Sequence, residues 1–259
     1  MTNRRTPALV VLGLALGLAG CGGAVAGRSP TVVAKPPPRV VKARSCRAGA
    51  FHRLGSERVA YAAVAQRPVR VYRRPGSAAF ARFGLVNANG VRTVFGVLGA
   101  VVGRSCRATW YRVQLPMRPN GSTGYVHAFA VWTAKVRTRI EVDVSQKRLT
   151  FYQRGRRVLT ARTAVGASAT PTPIGRFYVN QKLIPSSPSG PFGPGAIGIS
   201  AFSNVLTGWT QGGPVAIHGT NAPWSIGRAV SNGCIRLPNP VLRRLFRAAP
   251  TGTPVIVHP

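Results

Sequence analysis

The chain has 259 residues, and its 36 Lys and Arg against only 3 Asp and Glu give a formal net charge of +33. The acids are Glu57, Glu141 and Asp143, so residues 144–259 contain no carboxylate side chain. A site built only from that stretch therefore cannot contain a glycosidase carboxylate pair, an Asp/Glu cage for Mg²⁺ or Ca²⁺, or a Ser-His-Asp triad. The 45% hydrophobic fraction permits a buried core, and the charge favours polyanionic partners.

Residues 1–20 have the pattern of an export signal. Two Arg residues precede an apolar run over residues 8–19, which is short for a membrane span. The run ends in Leu-Ala-Gly-Cys21, which resembles the lipobox of bacterial lipoproteins and implies lipidation of Cys21. The alternatives are an ordinary secretion signal cut near Ala24 or Ala26 and a transmembrane anchor. All three predict an extracytoplasmic protein, either membrane-anchored or secreted to the cell wall.

A tether and a cysteine pair follow the signal. Residues 22–45 mix Gly, Pro and basic residues, and they predict a stiff linker whose charge favours an anionic membrane or wall. Cys46 and Cys106 bracket the next predicted module, and an oxidising exterior favours a disulfide between them. Two buried thiols are the alternative.

Residues 46–134 predict a small all-β module. Short alternating segments are separated by turns such as Asn89-Gly90, which is typical of a barrel or sandwich. The segment WYRVQLPMRPNGSTGYVHAFAV resembles the last strands of a bacterial SH3-like domain, a family whose modules often bind cell wall. Its aromatic residues are expected mainly in the core, and His127 is expected as a structural residue on the closing strand.

Residues 138–259 predict a second β-rich module. An antiparallel meander begins at residue 139, and strands are expected around residues 177–180, 215–217 and 255–257. Residues 185–198 are rich in Pro, Ser and Gly and predict a long surface loop, while residues 240–247 predict a short helix. The expected fold class is mostly β, with one or two short helices.

The candidate chemistry lies in His218 and Cys234. His218 ends a predicted strand, and the chain between the two residues is long enough to return and place the imidazole beside the thiol. Arg236 is a cation that can lower the thiol pKa. Because no carboxylate is near, a backbone carbonyl, with Gly219 the candidate, or a neutral side chain must orient the imidazole. Backbone N–H groups around Gly233 and Cys234 are candidates for an oxyanion hole.

Other interpretations of these residues are structural. A single Cys is usually a small core residue, and a single His in a strand is usually structural. A zinc site would need a third ligand, and no CxxC or HxxxH spacing is present. The sequence therefore predicts neither a metal nor a cofactor.

The string HGTNAPWSIGRAVSNGCIRLPN resembles the active-site signature of the L,D-transpeptidase catalytic domain (YkuD-type fold). IEVDVSQKRLTFY, TPTPIGRF and GTPVIV match further stretches of that family, so the resemblance covers residues 139–258. The sequence departs from the family pattern at two positions. Asn232 stands where the family often has His, and Pro240 stands where the family commonly has an Asp. The second departure puts a helix-capping role in doubt.

The resemblance implies a peptidoglycan transpeptidase that forms 3→3 cross-links, or exchanges or removes a terminal D-Ala, through a thioester on its nucleophile. It makes Cys234 the nucleophile and His218 the general base. The candidates for orienting or oxyanion roles are Gly219, Gly233, Asn232 and Ser231. The candidates for substrate binding are Arg236, Thr220 and Asn221.

The implied partners are peptidoglycan stem peptides, with anionic wall polymers or a membrane surface as further partners. A catalytically inert wall-binding lipoprotein is one alternative, although the intact Cys/His pair argues against it. The other alternative is an extracellular polyanion binder, which would bind nucleic acid in a salt-sensitive way without needing a thiol. If the protein is the enzyme, no nucleic-acid partner is expected.

Overall fold

The computed structural model describes residues 46–259, so the signal segment, Cys21 and the linker at residues 22–45 lie outside the described residues. The described residues belong to one compact unit. The described chain is mostly β, as predicted, with two eight-stranded sheets, a two-stranded sheet and one α-helix. None of the helices in residues 46–259 has the length and apolar character that crossing a bilayer would require.

Eight strands form the first sheet. They are β1 (Phe51–Arg53), β2 (Ala60–Ala65), β3 (Val69–Tyr72), β4 (Ala79–Phe83), β5 (Val94–Val102), β6 (Ala108–Gln114), β7 (Thr123–His127) and β8 (Val131–Val136). Their order is β4-β3-β7-β6-β5-β2-β8, with β1 paired to β5. Alternating residues such as Val69, Val113 and Val126 form its core. A disulfide joins Cys46 to Cys106 beside this sheet.

Eight further strands form the second sheet, and two others pair separately. They are β9 (Thr138–Asp143), β10 (Arg148–Gln153), β11 (Arg156–Arg162), β12 (Val165–Gly166), β13 (Gly175–Leu183), β14 (Ala196–Phe202), β15 (Pro214–His218), β16 (Ala229–Ser231), β17 (Ile235–Arg236) and β18 (Pro254–His258). The second sheet has the order β11-β10-β9-β18-β13-β14-β15-β17, and β12 pairs in parallel with β16.

One face of the second sheet carries the larger core. Its strands contribute Ile140, Ile197, Ile217 and Ile235, and all four side chains are fully buried. The α-helix α1 (Asn239–Ala248) packs Leu242 and Leu245 into the same core. Pro240 does not prevent this helix, because a proline in the first turn needs no hydrogen bond from its own nitrogen.

The first sheet contacts the second along β13. Tyr178 is fully buried there, and its hydroxyl donates to the Val94 carbonyl at 3.0 Å. The Arg118 guanidinium donates to the carbonyls of Ser203 and Gly212 at 2.6 and 2.7 Å. β8 ends at Val136 and β9 begins at Thr138, so the chain passes between the sheets at a single residue.

The structure differs from the sequence prediction at residues 185–198, which were expected to be a loop throughout. Strand β14 already begins at Ala196, and it continues to Phe202 as an inner strand of the second sheet. The prediction was wrong there because glycines precede and interrupt this strand, although its neighbours on both sides satisfy its backbone groups.

Candidate active site

Two neighbouring strands position the predicted catalytic pair. β15 and β17 are parallel, with Ile217 opposite Ile235 and His218 opposite Arg236. Because successive side chains point to opposite faces of a strand, His218 lies on the face away from the isoleucine core. Cys234 directly precedes Ile235, and its sulfur forms a hydrogen bond with the backbone of Ala216. The thiol and the imidazole therefore belong to the same face of the sheet.

The imidazole of His218 is held in one tautomer. Its Nδ1 lies 2.5 Å from the Gly219 carbonyl oxygen, the acceptor that the sequence analysis proposed. A carbonyl only accepts hydrogen bonds, so Nδ1 carries the proton and Nε2 has a free lone pair. The Phe192 ring packs edge-to-face on the imidazole with centroids 5.0 Å apart, and it covers the side chain from solvent.

Burial keeps His218 neutral. The side chain is 4% exposed, and desolvation lowers its pKa from the ordinary value of 6.5 to about 4. The Gly219 carbonyl acts in the opposite direction, and the positive charge of Arg236 lowers the pKa further. The imidazole can therefore accept a proton over the whole range above pH 4.

The thiol of Cys234 is neutral as well. Burial raises its pKa above the ordinary value, while the Ala216 backbone hydrogen bond and the charge of Arg236 lower it. Arg236 lowers the thiol pKa, as its charge predicts, but desolvation by burial is the larger effect. The resting pair is accordingly a neutral thiol and a neutral imidazole on the same face of the sheet, and not a preformed ion pair.

A tight turn presents Cys234. The buried Ser231 hydroxyl donates to the Cys234 carbonyl at 2.5 Å, and it accepts from the Gly233 N–H at 3.2 Å. Gly233 has a φ of 103°, a region that favours glycine. Ser231 and Gly233 therefore fix the backbone at Cys234, and the Gly233 N–H, a predicted oxyanion donor, already donates to the Ser231 hydroxyl. Asn232 is exposed at the tip of this turn.

Asn239 fixes the loop that follows His218, and the sequence analysis did not select it as a site residue. Its side-chain oxygen accepts from the Thr220 N–H at 2.8 Å and lies against the Cα of Gly219. Thr220 is buried, and its hydroxyl accepts from the Ala222 N–H at 2.9 Å. Thr220 thus shapes the loop, and its role in substrate binding stays a prediction. The signal for Asn239 was its place in the RLPN segment directly before the helix.

Arg236 and Asn221 are the remaining predicted substrate residues. The Arg236 backbone pairs with Ala164 through two hydrogen bonds of 3.0 and 2.9 Å, which fixes its strand. Its Nε is buried and has no hydrogen-bond partner among the described residues. Asn221 is exposed on the loop after His218.

Within residues 46–259, no group of three or more His, Cys, Asp or Glu side chains could hold a metal ion. Cys46 and Cys106 are joined in the disulfide, and His127 lies in the first sheet, stacked between Trp110 and Phe129.

Comparison with known proteins agrees with this geometry. Residues 137–257 match the family model of the L,D-transpeptidase catalytic domain. A putative L,D-transpeptidase YkuD of Bacillus licheniformis is 40% identical over 121 residues, covering 47% of this chain and 66% of the relative. The Bacillus subtilis protein of the same name is 39% identical over 119 residues, covering 46% and 65%. Residues 137–257 are therefore similar to the YkuD-type L,D-transpeptidase catalytic domain.

A solved structure covers a similar share of the chain. An Enterococcus faecium L,D-transpeptidase is 28% identical over 47% of this chain and 49% of its own, with a TM-score of 0.38. The chain spans slightly less than two thirds of the length of the two Bacillus proteins.

Proposed function

We propose that the protein is a cysteine-dependent L,D-transpeptidase that acts on peptidoglycan stem peptides. The observation that carries this proposal is the neutral His218, with Nδ1 bonded to the Gly219 carbonyl, on the same sheet face as Cys234. Such an imidazole is a poised general base for a neighbouring thiol. The similar proteins of both Bacillus species are named L,D-transpeptidases, which supports the same reaction here.

In the first half-reaction, Nε2 of His218 takes the thiol proton while the Cys234 sulfur attacks a donor-stem carbonyl carbon. That carbonyl belongs to the third stem residue, a diamino acid, and its amide nitrogen belongs to a D-Ala. The imidazolium then gives its proton to that nitrogen, the C–N bond breaks, and D-Ala leaves. The product is a thioester between Cys234 and the shortened stem, so charge and protons balance.

In the second half-reaction, the side-chain amine of another stem attacks the thioester carbonyl. His218 takes a proton from that amine, the C–S bond breaks, and the thiol is restored by the same proton. The new amide is a 3→3 cross-link. Water as the acceptor would give carboxypeptidase activity, and a free D-amino acid would give exchange.

Positive charge around the site supports both steps. Each step passes through an oxyanion, and residues 144–259 contain no carboxylate that would oppose it. The unpartnered Nε of Arg236 is suited to bind a substrate carboxylate, because Arg236 lies opposite His218 on the neighbouring strand. We assign Arg236 to substrate binding on this ground.

We further propose that the protein acts outside the cytoplasm. The Leu-Ala-Gly-Cys21 sequence supports a lipid anchor on Cys21, and the basic linker would favour contact with anionic lipid or wall polymer. The first sheet would serve as an SH3-like wall-binding module. Labelling cells with a lipid precursor tests the anchor, because a Cys21→Ser variant that is still labelled would rule it out.

Mass analysis of muropeptides tests the proposed reaction. Cells or purified sacculi treated with the wild-type chain should gain 3→3 cross-linked or D-Ala-trimmed products, and a Cys234→Ala variant should produce neither. Equal product from both proteins would exclude Cys234 as the nucleophile. Wild-type protein that leaves every stem unchanged, yet binds wall or DNA in a salt-sensitive way, would favour the inert or polyanion-binding alternatives.

A further inference from the structure

A row of small residues runs across the sheet from the proposed nucleophile to β13. Gly198 on β14 pairs with Ala216 on β15, and Gln181 on β13 pairs with Gly198. Paired residues share a face, so this row lies on the same face as Cys234 and His218. With strands about 4.8 Å apart, Gln181 lies about 10 Å from Ala216, whose backbone contacts the Cys234 sulfur.

The outer face of β15 opens along this row. His218 is buried, whereas Ala216 is half-buried and Pro214 is exposed. Gly198 has no side chain of its own, and the side chains of Asn180 and Gln181 lie over its Cα. These two side chains fill the space over Gly198, so the open path from Ala216 runs along β15 to Pro214, which is exposed.

The first sheet forms the far wall of this opening. The side-chain amides of Asn87 and Asn89 both donate to Oε1 of Gln181, at 2.7 and 3.0 Å. Gln211 donates to Oδ1 of Asn89 at 3.0 Å, which continues the amide cluster. Together with Phe202 and Pro214, these residues line a cavity of about 330 Å³.

Asn180 leaves an acceptor in this cavity without a donor. Its Oδ1 is buried and has no hydrogen-bond partner among the described residues, although Asn180 lines the cavity beside Gln181. A buried unpaired carbonyl is costly, so a ligand that brings an N–H to this position would gain binding energy. Arg82 lines the cavity and no Asp or Glu does, while the amides both donate and accept, which suits a peptide backbone that carries a carboxylate.

We propose that this cavity, formed jointly by the first sheet and the catalytic domain, binds the donor stem peptide at its end remote from the scissile amide. This inference rests on the proposed function. An extended peptide rises about 3.4 Å per residue, so about three residues cover the path from Ala216 to Gln181. The first sheet thereby takes part in recognising the length of the stem.

Kinetics of two variants test this subsite. Asn180→Leu removes the unpaired acceptor, and the exposed Asn89→Ala removes a wall residue with little risk to folding. Asn180→Leu should raise KM for a stem tetrapeptide about fivefold to tenfold, because it removes a hydrogen bond to the peptide. Asn89→Ala should raise KM in the same direction, because it frees the Gln181 side chain that lines the cavity. The family resemblance also suggests that carbapenems acylate Cys234. Because a carbapenem lacks the remote part of the stem peptide, its rate of acylation should stay within twofold.

A matched control separates binding from docking of the two sheets. Gln114→Ala removes a different hydrogen bond between the sheets, to the Arg176 carbonyl at 3.0 Å, and should leave both rates unchanged. Unchanged tetrapeptide KM in both cavity variants, or an equal loss of carbapenem acylation, would overturn the subsite. Wild-type protein that turns over no stem peptide would instead refute the proposed function itself.

Discussion

The two faces of the second sheet carry opposite kinds of residue on the same strands. On one face, Ile197, Ile217 and Ile235 are fully buried in the core. On the other face, one position away in each strand, stand Gly198, Ala216 or His218, and Cys234. Apolar burial on the core face therefore fixes the strand register, and this register helps to place the thiol and the imidazole on the same face.

The largest effect should come from the site face. We expect His218→Asn to lower the rate of donor-peptide turnover about 10²- to 10⁴-fold, because the general base is lost while the loop remains. Steady-state kinetics on a stem tetrapeptide measure this loss. His127→Asn in the first sheet is the matched control and should keep wild-type rates; a similar loss there would show that the effect is not specific to the site.

A smaller effect should come from the core face of the same strand. Ile217→Ala is expected to lower the free energy of unfolding by about 2–5 kcal/mol, since it leaves a cavity behind a fully buried side chain. Urea denaturation measures the change. Ile184→Ala, at a side chain that is 81% exposed, should change stability by less than about 0.5 kcal/mol. Equal values for the two variants would contradict the assignment of faces.

The pH dependence of stability should reveal the buried imidazole. Burial lowers the His218 pKa to about 4. Below pH 6.5 the unfolded chain therefore binds a proton that the folded chain does not bind. The free energy of unfolding falls as the pH drops from 6.5 towards 4. Over this range the wild type should lose on the order of 3 kcal/mol more of its free energy of unfolding than His218→Asn loses. Parallel stability curves for the two proteins between pH 4 and 7 would show that His218 is not buried as described.

The smallest effect should come from the loop support behind the site. Asn239→Ala removes the acceptor of the Thr220 N–H and should lower the free energy of unfolding by about 1 kcal/mol. Thermal unfolding measures it. Asn239→Asp keeps an oxygen at that position and should restore most of the loss, whereas an equally unstable Asp variant would argue against this hydrogen bond.

The sequence predicted the parts of the fold that local pattern controls. The strand that ends at His218 and the helix after Pro238 follow hydrophobic periodicity and turn residues, and the structure has both. Strand β14 was missed because its glycines resemble a loop until its neighbours are known. The boundary predicted between residues 134 and 138 stays a prediction, as do the lipid anchor and the SH3-like identity of the first sheet.

The chemistry of the site was only partly predictable. The cysteine, the histidine and the Gly219 carbonyl follow from motif spacing and from the absence of nearby acids. The direction of the Cys234 pKa shift did not, because desolvation depends on packing by distant residues. Asn239 and the amide cluster of Asn87, Asn89 and Gln181 also depend on contacts between segments far apart in the chain.

Covalent trapping of the nucleophile tests the central claim most directly. The full chain and its Cys234→Ala variant would be incubated with a carbapenem, and intact mass and peptide mapping would locate any adduct. We expect one adduct per wild-type molecule, on Cys234, and none on the variant. A variant that retains a stoichiometric covalent adduct would place the reactive group elsewhere and would contradict the proposed thiol–imidazole site.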